Sequence, residues 1–341
     1  MRRPLAVTAD QELLDDLLRI AAAAGVELDV AHDARHARRG WAAAPLIVVG
    51  DDLADDVARL SPPPRPDVVL VTLTGEDPTT WRRCVAVGAR AVLELPESER
   101  LLVDEFAEAA EPSTRSGQII CVVGGRGGAG ATVLAASLAL GAARSGMRTM
   151  LIDADPLGGG IDVVLASEHD TGARWPDIVG REGRVSFSAL QRALPSIGEL
   201  TVLSWDRGEP QHIPQVAMRA VLEAARRGCD LVVVDLPRHI TEAAAETLSR
   251  ATATLLVVPS DVRGVLASAQ LLAALRRHTA DVRIVRRPGT VTADVVATSL
   301  GAPCLATIPQ RRGLTEALDR GDPPPILRVC STLLHALLQA A

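Results

Sequence analysis

Short apolar runs separated by segments of helical spacing divide the first part of the chain. The runs cover residues 5–8, 26–31, 46–50, 68–72 and 91–95. Each run has the length of one strand, and the stretches between them carry the apolar spacing of helices. Five strands connected by helices predict an α/β domain with a doubly wound, parallel sheet.

A second series of apolar runs begins at Ile119. The predicted strands of this series end at Val123, Asp153, Leu203, Asp235, Val258 and Val285. The runs LVVVD and TLLVV are apolar throughout, which is typical of parallel strands buried on both faces. Between the two series, residues 111–117 read EPSTRSG and have the composition of a linker. We therefore predict a first domain over 1–110, a linker over 111–117 and a second domain over 118–341.

Composition agrees with two α/β domains and narrows the class of protein. The chain has 341 residues, of which 48% are hydrophobic, and its net charge of -6 argues against a surface that binds nucleic acid throughout. The five cysteines are widely spaced, so they predict neither a disulfide framework nor a metal motif. The N-terminus lacks the apolar stretch of a signal peptide, and no apolar run has the length of a membrane span. We expect a cytoplasmic protein.

Lysine is absent from the sequence, so all 36 basic side chains other than histidine are arginine. Asparagine and tyrosine are absent as well, a bias typical of GC-rich coding. The missing lysine excludes Schiff-base chemistry and the ammonium group that phosphate-binding loops commonly use.

The stretch from Ile119 to Gly146 joins a buried strand, a glycine-rich loop and an Ala/Leu helix that starts near Thr132. Glycines let backbone N–H groups converge on an anion, and the following helix directs its positive end to the same place. Glycines also permit a tight turn without any ligand. The combination of strand, loop and helix favours a phosphate-binding loop.

The loop sequence GGRGGAGAT resembles the deviant Walker A motif, KGGxGK[ST], of the MinD/ParA superfamily. The resemblance places Arg126 at the signature lysine, which in this superfamily reaches the partner's phosphates in a nucleotide-sandwich dimer. It places Ala131 at the second lysine and Thr132 at the hydroxyl that binds Mg²⁺. The implied nucleotide-binding residues are Gly125, Arg126, Gly127, Gly128, Ala129, Gly130, Ala131, Thr132 and Val133.

Other landmarks of the superfamily follow along the chain. LIDADP carries Asp153 and Asp155, and CDLVVVDLP ends its strand near Asp235. The resemblance implies that Thr132, Asp153 and Asp235 hold Mg²⁺, and that Asp155 and Arg126 are catalytic, with Asp155 orienting water. Without the glycine loop upstream, an aspartate that caps the turn after its strand would explain Asp235 equally well.

Three further segments extend the resemblance. GGGIDVVL resembles the superfamily's switch segment, with Asp162 opening a helix, and TLLVVPSDVRGV resembles its strand and turn around Asp261. VRIVRRPG brings Arg287 near the place where relatives recognise adenine, so Arg287 is added to the implied nucleotide-binding residues. Gln310 replaces the aspartate usual after the terminal Ile-Pro.

The motifs RWPD and LSWDRG narrow the resemblance to the actinobacterial CpaE-like proteins, also called septum site-determining protein Ssd and related to CpaE and TadZ. This group implies a homodimer that binds ATP or ADP with Mg²⁺ and works with the septum or Tad-type pilus and secretion machinery. It leaves recruitment to the cytoplasmic face of the membrane open. For Trp175 and Trp205 we favour core or interface packing over ligand stacking.

The N-terminal domain resembles a response-regulator receiver. Asp51 and Asp52 follow the third predicted strand and Asp10 follows the first, but the fifth strand runs into Glu94-Leu95-Pro96 without a receiver's lysine. We favour a pseudo-receiver used for protein contacts over a working phosphoacceptor.

For the whole chain we expect a nucleotide-binding positioning or regulatory protein with weak or absent hydrolysis, because Ala131 cannot replace a lysine. A nucleotide-independent pseudo-ATPase scaffold is the alternative. A third possibility is nonspecific DNA binding through the arginines at 276, 277, 283, 286, 287, 311 and 312, although spaced arginines are more often solvated or ion-paired. The C-terminal stretch 326–341 could form a membrane-binding helix, but we favour its packing on the core.

Overall fold

The computed structural model describes residues 3–73, 75, 78–110, 117–180, 187–209, 211–310, 312–322 and 327–339. The chain divides into two compact units, residues 1–114 and 115–341. Most of the predicted linker, residues 111–116, lies outside the described residues. Its last residue, Gly117, donates its N–H to the carbonyl of Arg226 at 2.7 Å in the second unit.

The first unit is a five-stranded parallel sheet with the order β2-β1-β3-β4-β5. Its strands are β1 (Leu5–Val7), β2 (Asp29–Ala31), β3 (Ile47–Gly50), β4 (Val68–Thr72) and β5 (Val92–Glu94). Its helices are α1 (Gln11–Ala23), α2 (Ala34–Gly40), α3 (Ala54–Arg59), α4 (Pro78–Val87) and α5 (Glu99–Ala110), and a 3₁₀ turn covers Asp51–Leu53. All five predicted strands are present. The second is shorter than predicted because the N–H of Val26 bonds back to Ala21, which closes the end of α1.

The second unit is an eight-stranded sheet with the order β13-β12-β11-β6-β10-β7-β9-β8. Its strands are β6 (Gln118–Gly124), β7 (Thr149–Asp153), β8 (Ser196–Ile197), β9 (Leu200–Leu203), β10 (Leu231–Leu236), β11 (Ala253–Pro259), β12 (Val282–Arg287) and β13 (Cys304–Thr307). The strands pair in parallel except β8, which pairs antiparallel with β9. The predicted α/β class with mostly parallel sheets is confirmed. The prediction omitted the two edge strands because β8 has two residues and β13 lacks a buried apolar run.

Helices cover both faces of this sheet. They are α6 (Ala131–Arg144), α7 (Ile161–Val164), α8 (Trp175–Val179), α9 (Phe187–Ala193), α10 (Gln215–Gly228), α11 (Glu242–Arg250), α12 (Val262–Leu275), α13 (Ala293–Leu300), α14 (Leu314–Asp319) and α15 (Leu327–Gln339). Because successive strand residues point to opposite faces, Ile119 and Cys121 pack in one apolar core while Ile120 and Val122 pack in the other.

The C-terminal helix α15 packs on the core. Four of its side chains, Cys330, Leu333, Leu334 and Leu337, are buried in the same apolar cluster as α6. The structure therefore places these apolar residues against protein, as the favoured interpretation of this stretch predicts. Among the described residues, no helix is long and apolar enough to cross a bilayer.

Candidate functional site

The glycine loop, residues 125–130, connects the end of β6 to the first turn of α6. Strand β6 lies between β11 and β10 in the sheet. After β6 the chain continues to β7 on one side, whereas after β11 it continues to β12 on the opposite side. Such a reversal of strand order leaves a crevice at the carboxyl ends of the strands, which is where open α/β sheets bind ligands. The loop therefore stands at the place in this sheet most suited to a ligand.

The backbone of the loop requires glycine. Gly128 and Gly130 have φ of +71° and +89°, in the left-handed region, and Gly130 caps the N-terminus of α6. A Cβ at Gly125 would lie 1.9 Å from the hydroxyl oxygen of Ser268 on α12, so the loop packs directly against that helix. Gly127 and Gly128 face open space, since a Cβ there would meet nothing within 4 Å. The loop is thus fixed on one side and open on another.

Two buried carboxylates lie beside the start of α6. Asp153 ends β7, Asp235 lies in β10, and the two residues are paired in register across the adjacent strands. They are 2% and 4% exposed. The hydroxyl of Thr132 is hydrogen-bonded to the carboxylate of Asp235. The structure therefore brings together the three residues for which the sequence implied a magnesium site.

Burial raises the pKa of both carboxyl groups to about 7. For Asp153, hydrogen bonds from the backbone N–H of Asp155, at 3.1 Å, and of Ile161, at 3.0 Å, oppose this rise, while the nearby charges of Asp155 and Asp162 add to it. For Asp235 the bond with Thr132 opposes the rise, and the charges of Asp153 and Asp155 add to it. A cation placed between these groups would offset both the burial and the repulsion.

The donor set fits magnesium bound together with a ligand that carries oxygens of its own. The described residues contain no group of three or more His, Cys, Asp or Glu side chains that could hold a metal. Two carboxylates and one hydroxyl nevertheless suit Mg²⁺, which keeps several waters and is commonly shared with phosphate oxygens. The position of Ala131, directly after the loop, offers no charge to such a phosphate.

The segment after β7 is held by its own hydrogen bonds. The carboxylate of Asp155, which is half-buried, accepts the N–H of Leu157 at 3.1 Å, so it shapes the turn after the strand. Asp162, at the start of α7, is 3% exposed and forms an ion pair with Arg207 at 3.0 Å. The sequence suggested Asp162 as the start of a helix but gave Arg207 no role.

The RWPD and LSWDRG motifs meet behind the carboxylates. Trp175 is fully buried, and its indole Nε1 donates to the backbone carbonyl of Asp153 at 2.7 Å. Its backbone N–H donates to the carbonyl of Ser204 at 3.0 Å, and its ring centroid lies 6.0 Å from that of Trp205. Both tryptophans are therefore core residues, as favoured from the sequence. The hydrogen bond from Trp175 to Asp153 was not predicted, and the two motifs were the sequence signal that could have pointed to it.

Arg126 forms an ion pair with Asp261 of the same chain, at 2.9 Å. The carboxylate of Asp261 also accepts the N–H of Gly264 at 3.0 Å and so caps the N-terminus of α12. The sequence singled out both residues but did not pair them, because the turn that carries Asp261 follows a different strand.

Arg287, the last residue of β12, reaches back to the glycine loop. Its guanidinium Nη1 donates to the carbonyl of Ala129 at 3.3 Å. Val133, the other end of the implied site, is partly buried at the start of α6 and accepts the hydroxyl of Ser137 through its carbonyl at 2.6 Å. The residues for which the resemblance implied nucleotide or metal binding thus lie in the glycine loop, in the first turn of α6, or in the strands β7, β10 and β12.

Most of the arginines considered for DNA binding bond within the second unit. Arg276 donates to the carbonyls of Leu300 and Gly301, Arg283 to the carboxylate of Asp281, and Arg286 to the hydroxyl of Ser260 and the carbonyl of Val291. Arg311 lies outside the described residues. These contacts favour the interpretation that the arginines stabilise the fold.

In the first unit, the carboxylates after β3 are engaged by protein groups. Asp52 accepts the hydroxyl of Thr8 at 2.9 Å and the N–H groups of Ala9 and Asp10 at 2.8 and 3.1 Å. Asp51 forms an ion pair with Arg83 of α4 at 2.6 Å. Both groups therefore tie the turn after β3 to neighbouring elements.

Comparison with known proteins agrees with this architecture. Residues 7–117 match the family described as the Rv3660c-like, CheY-like N-terminal domain, and residues 120–324 match the CobQ/CobB/MinD/ParA nucleotide binding domain. The uncharacterized protein Rv3660c of Mycobacterium tuberculosis is 39% identical over 320 residues, which cover 92% of this chain and 90% of that protein.

Solved structures resemble the second unit at low sequence identity. A ParA family ATPase from Chlorobium tepidum has a TM-score of 0.59 at 17% identity, over 66% of this chain and 99% of its own. The septum site-determining protein MinD from Pyrococcus horikoshii, complexed with Mg-ADP, has a TM-score of 0.54 at 16% identity, over 66% and 95%. Together with the family matches, these likenesses show that the chain carries a CheY-like N-terminal domain followed by a MinD/ParA-like domain, and that it belongs to the CobQ/CobB/MinD/ParA nucleotide-binding family.

Proposed function

We propose that this protein binds ATP and ADP with Mg²⁺ at the glycine loop and uses the bound nucleotide for positioning or regulation, with weak or absent hydrolysis. The observation that carries the proposal is the convergence of Thr132, Asp153 and Asp235 beside the open loop. The Mg-ADP complex of the structurally similar MinD supports the choice of ligand.

In this proposal the loop residues from Gly125 to Val133 receive the phosphates through backbone N–H groups and the N-terminus of α6. Thr132, Asp153 and Asp235 hold Mg²⁺, directly or through water, and Asp155 orients a water molecule. Because the buried carboxyl groups have pKa values of about 7, they release protons when they take up the cation. Binding of Mg²⁺ and nucleotide should therefore strengthen as pH rises through neutrality.

Weak hydrolysis follows from Ala131. A lysine at this position would place a positive charge against the phosphates, where charge increases as the transition state forms. Alanine offers no such charge, whereas the main-chain donors of the loop are unchanged. We therefore expect alanine at position 131 to reduce ATP hydrolysis more than it reduces nucleotide binding.

The partner of the positioning activity is proposed from resemblance. The RWPD and LSWDRG motifs resemble those of the CpaE-like and Ssd proteins, which supports a homodimer that serves the septum or Tad-type pilus and secretion machinery. Within such a dimer Arg126 would leave Asp261 and contact the phosphates of the partner. The ion pair with Asp261 holds this arginine in its own chain when the dimer is absent.

Calorimetric titration with ADP and ATP in the presence of Mg²⁺, combined with light scattering, tests the proposal. We expect binding of both nucleotides, an increase in mass with ATP, and little phosphate release. Thr132→Ala should weaken binding in Mg²⁺ and have a smaller effect in EDTA. Absence of binding to the wild-type protein would instead support the nucleotide-independent scaffold, and rapid phosphate release would overturn the role given to Ala131.

A further inference from the structure

The side chain of Arg287 occupies the space beside Gly130. Its Nη1 donates to the Ala129 carbonyl at 3.3 Å, and a Cβ built on Gly130 would lie only 2.8 Å from the same nitrogen. The arginine comes from β12, which is separated from β6 by β11, so it reaches across the crevice at the carboxyl ends of the strands. The guanidinium group of Arg287 therefore lies beside Gly130, the residue that precedes the uncharged Ala131 in the chain.

Two other arginines near the loop, Arg126 and Arg286, already bond to protein groups. Arg126 is paired with Asp261, and Arg286 is bonded to Ser260 and Val291. Arg287, in contrast, forms no ion pair with any carboxylate of the described residues, and it is only partly buried. One of its N–H groups is used on Ala129, which leaves the other donors of the planar fork for an anion.

We propose that Arg287 reaches from β12 to bind the phosphate chain of the nucleotide in its ground state, beside a loop whose own residue 131 carries no charge. Its place beside the loop differs from the role in adenine recognition that the sequence resemblance implied. The bond to Ala129 holds the guanidinium at the loop before any ligand arrives, so little of its freedom is lost on binding. This inference rests on the proposed nucleotide binding.

The test compares affinities for Mg-ADP and for adenosine, measured in competition with a fluorescent ADP analogue. Arg287→Ala should weaken ADP binding about 10- to 100-fold, the loss expected for one charge-assisted hydrogen bond, and leave adenosine binding unchanged. Arg287→Lys keeps a charge and should lose less. Ala131→Lys added to Arg287→Ala should restore most of the affinity for ADP. Arg283→Ala, on the same strand but paired with Asp281, is the matched control and should bind as wild type does.

Three outcomes separate the possibilities. Equal ADP affinity of wild type and Arg287→Ala would overturn the inference while the proposed function stands. Equal losses for ADP and adenosine would assign Arg287 to the base or ribose. If the wild-type protein itself bound no nucleotide, the proposed function would fail, and the inference with it. Circular dichroism of each variant shows whether a loss comes from misfolding.

Discussion

The indole nitrogen of Trp175 donates to the backbone carbonyl of Asp153, 2.7 Å away, and so connects a buried tryptophan to the strand end that carries a proposed magnesium ligand. The same ring lies 6.0 Å from Trp205, whose own Nε1 has no hydrogen-bond partner within the part of the chain that the structure describes. Of two neighbouring buried tryptophans, one therefore has a hydrogen bond from its indole nitrogen and the other has none, which provides a matched pair for experiment.

Trp175→Phe should destabilise the protein by more than Trp205→Phe does. Both changes remove similar ring volume, but only the first leaves a buried carbonyl without its donor, at a cost of about 1–3 kcal/mol. Urea unfolding followed by circular dichroism measures the difference. Equal losses for the two variants would show that the bond to Asp153 contributes nothing to stability.

The ion pair between Arg207 and Asp162 should contribute more than exposed pairs of the same chain. Asp162 is buried, so Arg207→Ala leaves a carboxylate without its cation and should cost about 1–3 kcal/mol, reduced from the value for fully buried pairs because the arginine is half exposed. A double-mutant cycle with Asp162→Asn isolates the coupling. The pair Arg148–Asp230, exposed on both sides, is the control and should give less than about 1 kcal/mol. Similar coupling in the two cycles would contradict this prediction.

The buried carboxyl group of Asp235 should make stability depend on pH in a defined direction. Its pKa is raised to about 7 in the folded state, so the folded protein binds more protons than the unfolded protein between about pH 4 and pH 7. This contribution to the free energy of unfolding therefore falls as pH rises through that range and is constant above it. Asp235→Asn should consequently stabilise the metal-free protein more at pH 8 than at pH 5.

Chemical denaturation in EDTA at the two pH values measures this difference. At pH 8, added Mg²⁺ and ADP should make the wild-type protein more stable than Asp235→Asn, because the wild-type carboxylate then binds a cation and the amide does not. An effect of Asp235→Asn that is the same at both pH values would show that the raised pKa does not act on stability.

Asp261→Ser should release Arg126 without removing the cap of α12. The serine hydroxyl can still accept the N–H of Gly264, so the stability loss should stay below about 1 kcal/mol, while the shorter, uncharged side chain no longer pairs with Arg126. If Arg126 serves the partner protomer, the variant should form dimer at a lower ATP concentration, as seen by light scattering. Adding Arg126→Ala should abolish the gain. A gain that persists in the double variant would exclude Arg126 as its cause.

The receiver-like unit should not accept phosphate. Asp52 is held by Thr8 and two N–H groups, while Asp51 is held by Arg83 through Oδ2 and its Oδ1 is buried, so neither carboxylate presents an accessible, unpaired oxygen to a phosphodonor. Incubation with acetyl phosphate and Mg²⁺ followed by intact-mass spectrometry should show no added phosphoryl group. Arg83→Ala tests whether the ion pair protects Asp51. A phosphorylated wild-type protein would contradict the pseudo-receiver interpretation.

Local sequence patterns determined much of the fold. Apolar runs located the five strands of the first unit and six strands of the second, because a strand buried on both faces must be apolar along its length. The short β8 and the partly exposed β13 were not predicted, since neither contains a buried apolar run. The glycine loop was visible because its glycines are needed by the chain's own backbone, at φ of +71° and +89°.

The resemblance to the MinD/ParA superfamily also implied that Thr132, Asp153 and Asp235 act together, and in the structure the ends of parallel strands bring the two aspartates to one edge of the sheet. Only the tertiary structure decided what the arginines and tryptophans contact. Arg287 meets Ala129 across 158 positions of the chain, and Arg207 meets Asp162 across 45. Such contacts follow from strand order and from side-chain direction, which no local periodicity encodes. The absence of lysine is evident from the composition, whereas the position of Arg287 beside the glycine loop became visible only in the tertiary structure, where β12 lies next to β11.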